Sequence, residues 1–162
     1  MGEQLVNVRQ RFAEGMGEVS RFWGFSPVMG CMYGLLYLSE EPLTSDNISE
    51  TLEISKGNVS MNLGNLDRWG MVRKTRKKGD RKEYFEAEPN FLKIVVNILS
   101  ERRNREFDRS LNTVGECLGQ MKGIAKGKES VFVRERLLRM ERFFKTLDSS
   151  VMMLLKLVGK GV

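Results

Sequence analysis

The sequence predicts a mainly α-helical chain with one small β-hairpin. Helix-forming residues, above all Leu, Met, Lys, Arg and Glu, dominate long stretches, and apolar residues recur in them at helical spacing. Residues 71–87 are instead predicted to form two strands around a glycine-containing turn. The chain has 162 residues, 41% of them hydrophobic and 30% charged, which suits one folded module with additional helices.

Two helices are expected at the start of the chain. Residues 4–22 carry apolar side chains at helical spacing between charged ones, which predicts an amphipathic helix. The Ser-Pro pair at 26–27 is typical of a helix start, and residues 27–38 are almost wholly apolar, so this helix should be buried. Gly30 and Gly34 lie one turn apart and would let another helix approach closely.

Two short helices come next. Ser45 is expected to cap a helix over residues 46–52, and Ser55 to cap another over residues 56–69, with Gly70 as its stop. The turn between them is only three or four residues long. It is followed at once by the hairpin, which we call the wing (residues 71–87), with strands predicted at 71–76 and 82–87.

Two long helices should complete the chain. One starts after residue 90 and is broken by glycines between 123 and 127, and the other covers residues 130–158. In the second helix, the spacing between successive apolar residues alternates between four and three, which indicates a coiled coil between two subunits. The alternative is a helix packed only within its own chain. The residues in this pattern are Val133, Leu137, Met140, Phe144, Leu147, Val151, Leu154 and Val158.

Positive charge is concentrated in one block of the chain. Residues 1–54 carry three arginines against eight acids, whereas residues 55–82 carry nine basic residues against two acids. The block coincides with the second short helix and the wing, so it indicates an anionic partner at that place. The alternative is a run of solvated charges, which the strand–turn–strand pattern of the block argues against.

Two short helices followed by a basic hairpin form a winged helix-turn-helix. We therefore predict a winged helix-turn-helix flanked by N- and C-terminal dimerisation helices. The expected domains are an N-terminal dimerisation helix at 1–25, the DNA-binding domain at 26–89, and long C-terminal helices at 90–162 that dimerise and respond to an effector.

The arrangement predicts binding to double-stranded DNA. The second short helix fits a major groove about 12 Å wide, and Arg81 at the wing tip would reach the flanking minor groove. Lys56 suits guanine, Asn58 or Asn65 suits adenine, and Asp80 would orient Arg81. The predicted DNA-binding residues are Ser55, Lys56, Asn58, Ser60, Met61, Asn65, Arg68, Lys74, Arg76, Lys77, Lys78, Arg81 and Lys82.

The residue inventory argues against an enzyme. The chain has no histidine, which excludes Ser-His-Asp and Cys-His catalysis and zinc sites with histidine ligands. Cys31 and Cys117 have no metal-ligand spacing, so we predict no catalytic residue, no metal and no cofactor. Without a disulfide pattern, a signal peptide or an apolar run of membrane-spanning length, we predict a cytoplasmic protein with no membrane partner.

The helix-turn-helix and wing also resemble a known family. Residues 54–63 (ISKGNVSMNL), 66–74 (LDRWGMVRK) and 78–85 (KGDRKEYF) look like the GbsR branch of the MarR-type winged-helix regulators. The resemblance is tight over residues 45–88. It implies a homodimeric repressor and a minor-groove role for Arg81, whose Asp-Arg pair is similar to the wing motif of the wider family.

The resemblance also implies an effector. Several members of the branch control uptake or synthesis of glycine betaine, and choline is an inducer in some. A quaternary ammonium is bound by aromatic faces, so Trp23, Phe25, Tyr33 and Tyr37 are candidate effector residues. The alternative is that these rings are ordinary core and interface aromatics.

Three function classes follow from these observations. The first is a sequence-specific DNA-binding homodimer, whose twofold symmetry predicts a pseudopalindromic operator with half-sites about one helical turn apart. The second is a protein-interaction scaffold without a specific DNA target, which would bind DNA weakly even at low salt. The third is an enzyme, but no set of nucleophile, base and orienting residue can be assembled from this sequence.

Overall fold

The predicted fold class is confirmed by a computed structural model that describes residues 2–159. It forms two compact units that divide between Ile94 and Val95. The helices are α1 (Gly2–Phe22), α2 (Pro27–Tyr37), α3 (Ser45–Leu52), α4 (Lys56–Arg68), α5 (Phe91–Arg102), α6 (Asp108–Gln120) and α7 (Lys128–Gly159). The strands are β1 (Leu43–Thr44), β2 (Val72–Thr75) and β3 (Tyr84–Ala87).

The apolar helix α2 lies at the centre of the first unit. Ser26 caps it with a side-chain oxygen that accepts from the Met29 amide at 3.2 Å, as the sequence predicted. Its side chains Met32 and Tyr33 are fully buried. The Tyr33 hydroxyl donates to the carbonyl of Glu88 at 2.9 Å, which ties α2 to the end of β3.

The close approach predicted at Gly30 and Gly34 is made by α1. A Cβ at Gly30 would collide with the carbonyl oxygen of Met16, and one at Gly34 would lie 2.8 Å from the Cα of Ala13. Such distances leave no room for a side chain, so both glycines are needed for the packing of α1 on α2.

The start of α3 differs from the prediction. Thr44, not Ser45, is the N-cap, and Ser45 is the first helical residue. The Thr44 side chain accepts from the Asn47 amide at 3.2 Å, while the Asn47 side chain accepts from the Thr44 amide at 3.1 Å. This reciprocal capping box satisfies two donors, which a cap at Ser45 would not do with Ile48 at the corresponding position.

The bounds of α4 agree with the sequence to within one residue. The Ser55 side chain accepts from the Asn58 amide at 3.3 Å, which confirms the predicted cap. The helix ends at Arg68, and Gly70 adopts a positive φ of 64° directly after it. Glycine has no Cβ to clash in this conformation, so the stop predicted at Gly70 is confirmed.

The wing belongs to a three-stranded antiparallel sheet with strand order β1-β3-β2. The strand β1, which pairs Leu43 with Phe85 and Thr44 with Tyr84, was not predicted. Strands β2 and β3 are shorter than the predicted 71–76 and 82–87. The difference leaves most of the cationic residues in the exposed loop between the two strands.

In the second unit, the helix predicted from residue 91 contains an irregularity. A π-helical turn at Arg103–Phe107 separates α5 from α6, and a 3-10 turn at Met121–Gly123 ends α6 before the glycine break. The ring of Phe107 lies 6.3 Å from that of Phe144 on α7. Arg103 forms an ion pair with Asp148 of α7.

The apolar pattern of α7 is therefore only partly available to a second subunit. Leu137, Phe144, Leu147 and Val151 are half-buried within the chain, because this side of α7 packs against α6 and the π-helical turn. The remaining members of the pattern that the structure describes, Val133, Met140 and Leu154, are exposed, and the side chain of Val158 lies outside the described part. Among residues 2–159, no helix has the length and apolar character needed to span a bilayer.

Candidate nucleic-acid interface

The outward face of α4 is polar and accessible. Four predicted residues on it, Lys56, Ser60, Met61 and Arg68, are exposed. Asn58 and Asn65 are half-buried at its edges. The opposite face is buried through Val59, Leu63 and Leu66. The Ser55 hydroxyl oxygen is occupied as the helix cap, so it supports the amides at the helix start.

Every predicted cation of the wing is exposed. These residues are Lys74, Arg76, Lys77, Lys78, Arg81 and Lys82. The loop that carries most of them turns at Gly79, whose φ of 86° requires glycine. The acids that pair with wing lysines, Asp67 and Glu41, are themselves exposed, so the positive charge of the wing stays at the surface.

A groove brings α4 and the wing onto one surface. It has a volume of about 500 Å³ and is lined by Ser60 and Gly64 of α4, by Lys74, Lys82 and Glu83 of the wing, and by the start of α3 including Asp46. Residues that are about 20 positions apart in the sequence thus face the same space. A rod-shaped polyanion lying along this surface would contact both elements at once.

Three of the predicted DNA-binding lysines are held by acids of the same chain. Each ammonium lies close to one carboxylate: Lys56 to Asp46 at 2.6 Å, Lys74 to Asp67 at 2.8 Å, and Lys77 to Glu41 at 3.1 Å. The hydrogen bonds that Lys56 and Lys74 donate to Asp46 and Asp67 raise the pKa of both lysines, so both remain charged. These pairs are exposed and weak, so phosphate oxygens can replace the carboxylates.

The wing tip is stabilised by Asp80, though not in the predicted way. The Asp80 carboxylate accepts from the Tyr84 hydroxyl at 2.6 Å and from the Lys82 amide at 2.9 Å, instead of pairing with the Arg81 guanidinium. The ring of Tyr84 also lies 5.0 Å from the Lys77 ammonium. Asp80 therefore shapes the backbone of the loop, and Arg81 extends from it into solvent.

Residues 23–83 match the model of the MarR family. The HTH-type transcriptional repressor GbsR of Bacillus subtilis (strain 168) is 27% identical over 120 residues, covering 74% of this chain and 66% of GbsR. OpcR, an HTH-type transcriptional repressor of the same strain, is 20% identical over 131 residues, covering 77% of this chain and 71% of OpcR. Residues 23–83 are therefore similar to MarR-family regulators, and this chain is similar to GbsR over 120 residues. The match spans just under two thirds of the length of GbsR.

The fold of this chain also matches a solved structure. A crystal structure of a transcriptional regulator has a TM-score of 0.67 and 22% sequence identity to it. The match covers 94% of this chain and 98% of that chain. The fold of this chain is therefore shared with that solved structure.

The four aromatic residues predicted to bind an effector are divided among different ring contacts. Tyr33 and Tyr37 stack at 5.9 Å, and the hydroxyl of Tyr33 already donates to a backbone carbonyl in the core. Phe25 packs on Trp69 at 4.9 Å, and Trp23 contacts Phe22 at 5.8 Å. The buried Tyr33 is thus a core residue, and the ring contacts do not join all four residues into one box.

The sequence did not predict that two polar residues of the first unit, Glu88 and Asn62, are buried. Glu88 is buried at the base of the wing, where its carboxylate accepts from Lys93 at 2.6 Å and from the Asn90 amide at 3.2 Å. The hydrogen bond from Lys93 lowers the pKa of Glu88. Asn62 of α4, a polar residue that the sequence alone would leave exposed, is also buried. Its partner Ser26 lies at the start of α2, and the sequence of α4 alone gives no sign of that contact.

The hydrogen bond from Tyr84 to Asp80 predicts a change in the pKa of Asp80 that can be measured. The Tyr84 hydroxyl is the main cause that holds the pKa of Asp80 below its ordinary value of 3.8, followed by the Lys82 amide. Tyr84→Phe should therefore raise the pKa of Asp80 towards that value, as followed by carboxyl-carbon NMR. Because the folded pKa is depressed, this contribution to stability is present above about pH 4 and is lost as pH falls through the folded pKa.

Asp46 provides the internal control for this titration. Its pKa is also lowered, but by Lys56, so Tyr84→Phe should leave it unchanged. An Asp80 pKa that is the same in both proteins would show that the hydroxyl does not stabilise the carboxylate.

Proposed function

We propose that this chain is a homodimeric transcriptional repressor that binds a specific sequence of duplex DNA through α4 and the wing. The observation that carries the proposal is the shared surface of the polar face of α4 and the cationic wing, lined by Ser60, Gly64, Lys74 and Lys82. These four residues lie within the segment 23–83 that matches the MarR family. The exposed cations of the wing loop suit the DNA phosphates, and the polar face of α4 suits the base edges of the major groove.

The proposed docking divides the contacts into two kinds. The start of α4 enters the major groove, where Asn58 and Met61 face base edges and the amides near Ser55 face a phosphate. The wing follows the backbone, with Arg81 directed to the minor groove. Base contacts then set the sequence, and the lysines of the wing supply affinity that does not depend on sequence.

The intrachain ion pairs should reduce the sequence-independent affinity for DNA, which suits a regulator that must find one site among many. Asp46, Asp67 and Glu41 each hold a lysine of the interface before DNA arrives. Binding then exchanges a carboxylate for a phosphate, so each exchange adds less affinity than a free lysine would. Weaker backbone contacts leave a larger share of the binding free energy to the bases.

Repression is proposed from the relatives. GbsR and OpcR are transcriptional repressors, and a protein bound across a promoter can repress by excluding the polymerase. Control of compatible-solute genes and a response to choline remain predictions from the family resemblance. A small-molecule effector would act by favouring one orientation of the two DNA-binding modules over another.

Homodimerisation is proposed from apolar surface that the chain itself does not cover. On α1, Leu5, Val8, Val19 and Phe22 are exposed, with Phe22 85% accessible. On α7, an exposed apolar group includes Val133, Met140, Phe143 and Leu154. Large exposed apolar patches mark interaction sites, and a twofold pair of helices would cover them with their own counterparts. Such a dimer reads a pseudopalindromic operator.

Arg81 tests the DNA-binding proposal. Duplex DNA selected from a random library by the wild-type protein serves as the ligand. Arg81→Ala should cost about 1–3 kcal/mol of binding free energy and reduce the slope of log K against log salt by about one. Fluorescence anisotropy at several salt concentrations measures both quantities.

Lys126→Ala is the matched control, because it removes one exposed positive charge from the loop before α7. It should bind DNA as the wild type does. If no DNA is retained even at low salt, the DNA-binding proposal is refuted and the scaffold alternative is favoured. Equal effects of the two variants would show that Arg81 of the wing does not contact DNA.

Phe143 tests the dimer. This ring is 58% exposed on α7, so Phe143→Glu should leave the fold of the chain intact while placing a charge in the proposed interface. We expect sedimentation equilibrium to show a dimer for the wild type. The dimer dissociation constant of the variant should be at least about tenfold larger, because burying an unpaired charge in the interface is costly. Ile124→Glu, at a 53% exposed residue outside the helices, should remain dimeric. A monomeric wild type would refute the proposal.

A further inference from the structure

A chain of hydrogen-bonded side chains joins the start of α2 to the base-reading face of α4. Its central member is Asn62, which is only 2% exposed although asparagine is strongly polar. The Ser26 hydroxyl donates to Asn62 Oδ1 at 2.9 Å. Asn62 Nδ2 donates both to the backbone carbonyl of Asn58 at 2.9 Å and to Asn58 Oδ1 at 2.6 Å.

The orientation of each amide in this chain follows from donors and acceptors. A backbone carbonyl can only accept, so the Asn62 atom beside the Asn58 carbonyl is the amino nitrogen. The same nitrogen lies 2.6 Å from the Asn58 side chain, so that side chain turns its oxygen towards Asn62. Asn62 Oδ1 then requires a donor, and the Ser26 hydroxyl supplies its single proton.

Ser26 is itself fixed by a second bond. Its oxygen accepts from the Met29 amide at 3.2 Å as the cap of α2 while its proton points to Asn62. The hydroxyl therefore cannot rotate without losing either the cap or the bond to Asn62. The position of α2, the central helix of the first unit, thereby sets the orientation of an amide on α4.

We propose that Asn62, held by Ser26, turns the Asn58 amide so that its amino group alone is presented to the DNA, which makes Asn58 a reader of guanine. This inference rests on the proposed DNA-binding function. It replaces the sequence-based expectation that Asn58 pairs with adenine, and it assigns Asn62 and Ser26 as positioning residues that do not touch DNA.

The base assignment follows from the pattern of groups in the major groove. A pair of hydrogen bonds to adenine needs the amide oxygen and nitrogen of asparagine to face the base together, because adenine presents N7 as acceptor beside its N6 donor. In this chain the oxygen of Asn58 is bonded to Asn62. The remaining amino group suits guanine, whose N7 and O6 both accept, whereas the N6 amino group of adenine would oppose it.

The test is a comparison of base preferences. Each protein, as the full chain, selects duplexes from a random DNA library, and competition binding then measures the affinity ratio of guanine to adenine at every position of the selected half-site. Asn58→Asp keeps an acceptor for Asn62 but removes the outward donor. It should lower the guanine preference at one position by about fivefold or more.

Asn62→Leu is the decisive variant. Leucine has a similar volume and cannot hold the Asn58 amide, which is then free to turn both of its polar atoms to the base. We expect the guanine-to-adenine ratio to fall by about fivefold or more at the same position that Asn58→Asp alters. A merely structural role of Asn62 would lower stability without changing the ratio at one position.

Leu66→Val is the control for stability. Leu66 is fully buried on the same helix and takes no part in the hydrogen-bonded chain, so this variant loses packing but should keep the wild-type base preference. The inference is overturned if Asn62→Leu retains the wild-type ratio at every position, or if Asn58→Asp changes none. A wild-type protein that selects no sequence at all would instead refute the proposed function itself.

Discussion

The burial of α2 is the constraint on which the rest of the first unit depends. Gly30 and Gly34 allow α1 to pack directly on it, and Tyr33 bonds it to the backbone after β3. Its cap, Ser26, is bonded to Asn62 of α4. Because one apolar helix fixes both the sheet and α4, the wing and the polar face of α4 have a defined relation to each other, which recognition of a rigid duplex requires.

Charge at the candidate interface is balanced in two ways. Lys56, Lys74 and Lys77 are paired with acids of the same chain, whereas Arg81 extends into solvent from a loop that Asp80 shapes. A wholly unpaired cationic surface would bind any duplex strongly. In the proposed function, the paired lysines would limit that binding, and the directed hydrogen bonds of α4 would account for a larger part of the selection among sequences.

Local sequence signals predicted the elements that form the interface. Ser55 and Gly70 bound α4 because caps and stops act within a few residues of their own helix. The unpredicted features depend on contacts between distant segments: β1 has two residues and exists by pairing with β3, and the buried Oδ1 of Asn62 is satisfied by Ser26, 36 positions earlier. The cap at Thr44 was missed for a different reason, because two adjacent residues could both cap and only Thr44 places Asn47 at the reciprocal position.

Mapping of the bound surface by amide chemical shifts tests the central claim most directly. An isotopically labelled protein is titrated with its selected duplex, and the perturbed amides are compared with the surface formed by α4 and the wing. The largest changes are expected at residues 55–68 and 76–82, with both segments changing at the same DNA concentration. Changes confined to one of these segments, or centred elsewhere on the chain, would contradict a single interface built from both.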